Sequence, residues 1–211
     1  MSAAADLLSG SPTRSPSLRL AGRSGKVSAW TFPELEGPVL LEVRRFADAR
    51  GVFAETYSHR DFAALGIGDV FVQDNWSRSN AVGTVRGLHF QRPPHAQAKL
   101  VRVVRGRILD VAVDLRRSSP GFGRHVAVEL AEDDGRMLYV PVGFAHGFCT
   151  LEPNSEVAYK VTDVYAPECD AGVAWDDPDL AIAWPVARDV AVLSEKDARL
   201  PRLAALEAPF A

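Results

Sequence analysis

The segment Ile108–Arg116 reads ILDVAVDLR and alternates with a period of two. One half of the alternation is apolar and consists of Leu109, Val111, Val113 and Leu115. The other half is mostly polar and consists of Asp110, Ala112, Asp114 and Arg116. Successive side chains of a β-strand point to opposite faces of the sheet, so this pattern predicts a strand with one apolar face.

Shorter runs with the same period follow at Val126–Leu130, Leu138–Val140 and Val157–Val161. Turn-forming residues separate the runs at positions 118–121, 133–135, 141–143 and 152–154. Many short strands divided by turns indicate an antiparallel sandwich or barrel, and the lack of a fixed-length repeat argues against a propeller or solenoid. We therefore predict an all-β jelly roll, with helix restricted to peripheral stretches at Arg60–Leu65 and Ser194–Leu206.

The composition indicates a soluble globular protein: of 211 residues, 47% are hydrophobic and 24% charged. The formal net charge is -3 with both signs interspersed, which argues against a nucleic-acid partner. No apolar run approaches the roughly 18 residues that span a bilayer, so we expect a cytoplasmic protein with no membrane partner. Cys149 and Cys169 lie in no CxxC motif and are expected to be reduced thiols.

The first thirty residues differ from the rest of the chain. Met1–Ala29 is rich in Ser, Gly, Pro and Arg and contains little that would form a core. Its arginine-rich, acid-poor composition is slightly like that of a transit peptide, but it has no apolar stretch of the kind that directs secretion. We predict that residues 1–30 form a disordered extension and that residues 31–211 form a single domain.

Two of the five histidines, His89 and His146, lie within otherwise apolar segments. A lone histidine in such a place is more often a hydrogen-bonded core residue than a catalyst. However, Arg86, Lys99 and Tyr159 occur on neighbouring strand-like segments. Several ionisable groups that converge inside a barrel are costly unless they bind something, so these residues indicate a site.

Several kinds of site are disfavoured by what the sequence lacks. It has no HxH pair for a jelly-roll metal site and no GxSxG nucleophile motif. It also has no phosphate-binding loop or dinucleotide fingerprint. We therefore expect no metal and no cofactor, and proton transfer by His, Tyr and Lys is the chemistry that remains.

Eight segments, taken in order, resemble the dTDP-4-dehydrorhamnose 3,5-epimerase family over about Leu35 to Leu200. They are FADARGVFAE (46–55), FVQDN (71–75), RGLH (86–89), QAK (97–99), GFAHGF (143–148), YKVT (159–162), WDDP (175–178) and LSEKD (193–197). The resemblance implies a cupin-like double-stranded β-helix, a homodimer, and no metal or cofactor. It also implies a dTDP-linked 4-keto-6-deoxy sugar as substrate, epimerised at C3 and C5 on the route to dTDP-L-rhamnose.

The resemblance further implies a role for each matching residue. His89 is the base, Asp197 is the carboxylate that orients it, and Tyr159 is the acid on the opposite face of the sugar. Lys99 and Arg86 are positive groups near the sugar oxygen and the phosphates. The other residues implied to contact the substrate are Arg50, Phe53, Glu55, Gln73, Asn75, His146, Tyr165, Asp170 and Lys196. Of these, Tyr165 is implied to stack on the thymine ring.

The spacing of Arg86 and His89 makes a geometric prediction. Residues three apart face opposite sides of a regular strand, so both reach one pocket only if the strand is irregular between them. Gly87 is the residue that permits a β-bulge there.

The sequence departs from the family pattern at two positions, and two alternative functions remain open. Val164 stands where a second aromatic residue is common in the family, and Ala171 where a basic residue is common, which puts nucleotide affinity in question. A sibling enzyme that inverts only C3 or only C5 keeps the same His and Tyr. A non-catalytic, cupin-like sugar-binding domain is a further alternative, although it predicts loss of the base, and His89 is present.

Overall fold

The computed structural model describes residues 16–207 and residue 210. These residues form an all-β sandwich of two antiparallel sheets and a separate hairpin, as the sequence predicts. The strands are β1 (Arg19–Ser24), β2 (Val27–Phe32), β3 (Leu35–Val43), β4 (Arg45–Asp48), β5 (Gly51–Ala54), β6 (Gln73–Ser79), β7 (Val85–Gln91), β8 (Lys99–Arg105), β9 (Arg107–Asp114), β10 (His125–Ala131), β11 (Arg136–Val140), β12 (Phe144–Thr150), β13 (Ser155–Val161) and β14 (Asp170–Gly172).

A large sheet of seven strands has the order β1-β2-β3-β11-β8-β13-β6, and a small sheet of five has the order β10-β9-β12-β7-β14. The remaining hairpin pairs β4 with β5. One core cluster combines Val101 and Leu138 of the large sheet with Ile108, Ala112 and Phe144 of the small sheet, so the two sheets pack face to face. This arrangement confirms the predicted jelly-roll class.

Strand β9 is buried on both faces of the small sheet, although its sequence alternates between apolar and polar residues. Its apolar side chains Leu109, Val111 and Val113 pack in a second cluster with Trp175 and Trp184 from the C-terminal segment. The other half of the alternation faces the large sheet, and there Asp110 is 0% exposed. The polar half of the pattern therefore lies inside the sandwich instead of in solvent.

The predicted extension at residues 1–30 differs from the structure. Residues 1–15 lie outside the described residues, but β1 and β2 occupy positions that were expected to be disordered. Val27 and Ala29 are 2% and 1% exposed and pack against Phe62 of the short helix α1 (His59–Ala63). Two small apolar side chains in alternation indicate a strand only weakly in the sequence. In the structure their burial accompanies the pairing of β2 with β3.

The predicted C-terminal helix is also wrong. The stretch Ser194–Leu206 contains only two 3₁₀ turns, at Asp197–Arg199 and Leu203–Ala205. The Ser194 hydroxyl does accept a hydrogen bond from the Asp197 N–H at 3.1 Å, as an N-cap would. Leu200 is extended because it precedes Pro201, and so the turn cannot continue as a helix. No helix among residues 16–207 has the length and apolarity that crossing a bilayer requires.

The β-bulge predicted at Gly87 is present in β7. His89 pairs with His146 of β12, whereas Arg86 pairs with Phe148, so three steps along β7 match two along β12. Gly87 has φ +127°, and a Cβ added there would lie 2.6 Å from the Gly147 Cα. Only glycine fits both the backbone conformation and the close approach of the two strands.

Gly87→Ala is therefore expected to lower the free energy of unfolding by about 2–3 kcal/mol, because it adds backbone strain and a clash with β12. Urea unfolding of purified protein measures the change. The matched control is Gly68→Ala, since a Cβ at Gly68 meets nothing within 4 Å. Equal stability of the two variants would contradict the account of the bulge.

Candidate active site

A cavity of about 400 Å³ lies between the inner faces of the two sheets. The large sheet contributes Ser77, Lys99 and Tyr159 to its wall, and the small sheet contributes Arg86, His89, His146 and Phe148. A second cavity of about 380 Å³ shares His89, Lys99, Tyr159 and Lys196 with the first. The two cavities therefore meet at these side chains.

His89 and Asp197 form a dyad in the first cavity. The His89 Nε2 lies 2.6 Å from the Asp197 Oδ1, and the Gly87 N–H donates to the Asp197 Oδ2 at 3.3 Å. Burial raises the pKa of Asp197, but hydrogen bonds from His89 and Gly87 outweigh it, so the pKa lies below its ordinary value. The ionised carboxylate holds the proton of the ring on Nε2 and leaves Nδ1 as the basic nitrogen.

Lys99 is the buried cation of the site. Its side chain lines both cavities, the residue is 8% exposed, and its Nζ donates to the His89 carbonyl oxygen at 3.1 Å. Burial lowers the pKa of Lys99 to about 8, and the carboxylate of Asp110 acts in the opposite direction. A buried cation interacts strongly with any negative charge that develops beside it.

His146 and Asp110 form a second buried pair, of which the sequence pattern predicts only His146 as a site residue. The His146 Nε2 lies 2.7 Å from the Asp110 Oδ1. Burial lowers the pKa of His146, so the imidazole is neutral near pH 7. Asp110 had not been proposed as a site residue, although its place on the polar half of ILDVAVDLR was a usable signal. Asp114 shares that half but is held by Arg116 and has a structural role.

Tyr159 faces His89 and His146 from the other sheet. It lies on β13, opposite Asn75 of β6, and lines both cavities. Burial raises the pKa of Tyr159 above its ordinary value, so its hydroxyl keeps its proton at neutral pH. His89 and Tyr159 thus approach the cavity from opposite sheets.

Arg86 is fixed at the edge of the first cavity. Its Nε donates to the Ser79 hydroxyl at 3.0 Å, and one terminal nitrogen donates to the Arg78 carbonyl oxygen at 3.0 Å. These bonds orient the guanidinium and leave further N–H groups to bind an anion.

The second cavity contains most of the other residues that were expected to contact substrate. Gln73, Asn75, Tyr165, Asp170 and Lys196 all line it. Asp170 forms an ion pair with Lys196 and accepts a hydrogen bond from the Tyr165 hydroxyl at 3.2 Å. Val164 and Ala171, the two departures noted in the sequence, flank this group.

Three expected substrate-contacting residues lie elsewhere. Arg50 and Phe53 belong to the β4–β5 hairpin, and Glu55 follows it; neither cavity includes them. The Arg50 side chain is 90% exposed and pairs with Asp48 at 2.6 Å, and Phe53 is 66% exposed. Within one copy of the chain, these residues therefore do not line the cavities around His89.

The described residues contain no group of three or more His, Cys, Asp or Glu side chains arranged to hold a metal ion. The groups that converge are two imidazole–carboxylate pairs, a lysine and a tyrosine. Such a set is suited to moving protons and to stabilising an oxyanion.

Comparisons with known proteins agree with this geometry. The family model described as dTDP-4-dehydrorhamnose 3,5-epimerase matches residues 33–205. A dTDP-4-dehydrorhamnose 3,5-epimerase of Sinorhizobium fredii is 49% identical over 172 residues, which cover 81% of this chain and 87% of the relative.

Two solved structures are also similar. The first is the dTDP-4-dehydrorhamnose 3,5-epimerase of Bacillus anthracis with TDP and PPi bound, at 47% identity and a TM-score of 0.80, covering 83% of this chain and 99% of the other. The second is a dTDP-6-deoxy-D-glucose-3,5-epimerase of Legionella pneumophila in complex with dTDP-4-keto-L-rhamnose, at 41% identity and a TM-score of 0.80, covering 86% and 95%.

The depressed pKa of Lys99 predicts a dependence of stability on pH. In the unfolded chain a lysine keeps its proton up to its ordinary pKa of 10.5, whereas folded Lys99 loses it near 8. Between these values the unfolded chain binds more protons, so the free energy of unfolding rises with pH. Relative to Lys99→Met, the wild type should gain about 3 kcal/mol between pH 8 and 10.5.

Urea unfolding of both proteins from pH 6 to 10.5 measures this difference. We expect it to be level below pH 8 and to climb above. A difference that stays constant to pH 10.5 would mean that Lys99 titrates as an exposed lysine does.

Proposed function

Since the chain belongs to the dTDP-4-dehydrorhamnose 3,5-epimerase family, we propose that it inverts C3 and C5 of dTDP-4-dehydro-6-deoxy-D-glucose to give dTDP-4-dehydro-L-rhamnose. The observation that carries this proposal is the placement of His89 and Tyr159 on opposite sheets around one cavity. A base on one side and an acid on the other is the arrangement that inversion of a carbon centre requires.

The His89 Nδ1 removes the proton. The C4 ketone acidifies the hydrogens on C3 and C5, because each carbanion is delocalised onto the carbonyl oxygen as an enolate. A base with a pKa near neutrality is suited to this step, and imidazole has one. As His89 takes the proton its ring becomes positively charged, and Asp197 at 2.6 Å stabilises that imidazolium.

Lys99 stabilises the enolate oxygen. It is a cation between the two sheets, close to both His89 and Tyr159 in the wall of the cavity. A contact of this kind contributes about 3 kcal/mol to lowering the barrier, since the charge it meets exists only after proton removal.

Tyr159 returns a proton to the opposite face of the carbon. Its hydroxyl is protonated at neutral pH because burial raises its pKa. Inversion follows, since abstraction and protonation occur on different faces of the planar enolate. Before the second carbon reacts, His89 releases its proton to solvent and Tyr159 takes one from solvent, so that both groups return to their starting states. All steps are proton transfers, so the reaction as proposed uses no metal and no cofactor.

The second cavity is proposed to hold the nucleotide. Tyr165 is 56% exposed beside it and offers an aromatic face for the thymine ring. Lys196, which lines both cavities, and Arg86, at the edge of the first cavity, supply positive charge for the diphosphate, which the net charge of -3 on the whole protein does not. We also propose a cytoplasmic setting, in keeping with two free cysteines, Cys149 and Cys169.

The number of carbons inverted is tested by turnover in deuterated water. Incubation with dTDP-4-keto-6-deoxyglucose should place deuterium at both C3 and C5, as mass spectrometry and proton NMR would show. Label at one carbon only would overturn double epimerisation in favour of a mono-epimerase, and label at neither would favour a non-catalytic sugar-binding domain.

Two variants test the roles of the acid and the base in the same assay. His89→Ala should lose exchange at both carbons, by about 10³-fold or more, because no other base takes its place. Tyr159→Phe should keep measurable exchange but give little inverted product, since abstraction does not need the donor. The control is His59→Ala, on α1 and outside both cavities. Full exchange in His89→Ala would place the base elsewhere.

We further propose a homodimer in which the β4–β5 hairpin of one copy completes the site of the other. The hairpin is an apolar projection: Phe46, Val52 and Phe53 are 37%, 63% and 66% exposed. Exposed apolar residues clustered in this way mark a surface for association. The proposal also gives Arg50, which lies outside both cavities of its own protomer, a substrate to contact.

Mixed dimers test this arrangement. His89→Ala protein and Arg50→Ala protein are each expected to have low activity. After denaturation and joint refolding, a heterodimer has one intact site if the hairpin acts on its partner, so activity should recover to about a quarter of the wild-type value at equal mixing. If Arg50 acts within its own protomer, the activity of the mixture stays at the mean of the activities of the two variants. Sedimentation checks that both variants are dimers.

A further inference from the structure

The segment that carries Tyr165 is held by side-chain amides. Gln91 lies at the end of β7, is 3% exposed, and binds this segment on both sides of Tyr165. Its Nε2 donates to the Val164 carbonyl oxygen at 3.1 Å, and its Oε1 accepts from the Ala166 N–H at 2.8 Å. One amide group therefore fixes the backbone immediately before and after the exposed tyrosine.

The donors of Gln91 are fully used. A glutamine amide has two N–H groups, and the second donates to the His95 carbonyl oxygen at 2.6 Å in the loop between β7 and β8. No N–H remains to bind a substrate. Gln91 thus acts on the site through the backbone that it holds.

Two further glutamines hold the same segment. The Gln73 Oε1 accepts from the Tyr165 N–H at 3.0 Å, and the Gln97 Nε2 donates to the Asp163 carbonyl oxygen at 2.8 Å. These amides come from three different strands or loops, β6, β7 and the approach to β8. By contrast, the side chain of Tyr165 makes one hydrogen bond among the described residues, to Asp170.

We propose that Gln91 is a positioning residue that presents Tyr165 to the nucleotide and so sets affinity for the dTDP part of the substrate. The inference rests on the proposed function, because it takes Tyr165 as the residue that stacks on the base. A ring that is already held in place loses less conformational freedom on binding, and affinity rises accordingly. Gln91 lines only the second cavity, away from Arg86 and Asp197 in the first.

Gln91→Asn and Gln91→Leu test the proposal. Asn keeps the amide but is shorter by one methylene, and Leu keeps most of the volume but has no amide. Each should raise the Kd of dTDP, measured by calorimetry, by about tenfold, with a similar rise in KM. The kcat at saturating substrate should stay within about threefold of wild type, because His89, Lys99 and Tyr159 are untouched.

A double-mutant cycle separates positioning from general loss of structure. If Gln91 acts through Tyr165, then adding Gln91→Leu to Tyr165→Ala should change the Kd of dTDP by less than about twofold. Additive effects, or a fall in kcat as large as the rise in KM, would overturn the proposal. The matched control is Glu168→Gln, an exposed change in the same connection, which should bind dTDP as wild type does.

The outcomes are distinguishable from failure of the proposed function. If the wild-type protein does not bind dTDP, the proposed function is wrong and the inference falls with it. If it binds dTDP and both Gln91 variants bind equally well, only the inference is wrong. Should the Gln91 variants fail to fold, Gln97→Leu, which removes the single bond to Asp163, should raise the Kd by a smaller factor of about three, and an unchanged Kd would overturn the proposal.

Discussion

The close approach of β7 and β12 is the constraint on which the site depends. A Cβ at Gly87 would lie 2.6 Å from the Gly147 Cα, and a Cβ at Gly147 would lie 2.7 Å from the Arg86 carbonyl oxygen. The extra residue that the bulge places in β7 turns Arg86 and His89 toward one cavity. It also frees the Gly87 N–H from the strand ladder, and Asp197 accepts it. One carboxylate therefore accepts the N–H that the bulge frees and holds the imidazole of His89.

The facing surfaces of the two sheets also carry several buried ionisable side chains, which do not by themselves stabilise the folded state. Lys99, Asp110, His146 and Asp197 are each less than 9% exposed. Charges and dipoles in such places destabilise the folded state unless they are paired, and the pairs here are only partly matched, since the Asp110 Oδ2 has no hydrogen-bond partner among the described residues. The apolar clusters on both faces of β9 offset this cost. The apolar clusters thus stabilise a sandwich whose cavity is lined by polar side chains.

The sequence predicted those parts of the molecule that depend on local pattern. The alternation of ILDVAVDLR predicted a strand, and the spacing of Arg86 and His89 predicted the bulge, because both rest on the period of two. It could not predict that both halves of the alternation are buried, so Asp110 was missed. The apolar alternation at Val27 and Ala29 is too short to distinguish a β-strand from a disordered N-terminal extension. Arg50 was predicted from resemblance, but its distance from the cavities depends on how the hairpin projects, which no local pattern encodes.

In the proposed function, the residues for proton transfer and those for nucleotide binding stand on different kinds of backbone. His89, Lys99 and Tyr159 stand on strands paired on both sides, where β-ladders hold each side chain in place. Proton transfer needs this rigidity, because a small displacement of the base from the carbon lowers the rate steeply. Tyr165 stands instead on a connection between β13 and β14, where side-chain amides replace the missing ladder bonds. Under the proposed function, affinity for the nucleotide can therefore change through Gln91 and its neighbours, or through Val164, without disturbing the side chains proposed to move the proton.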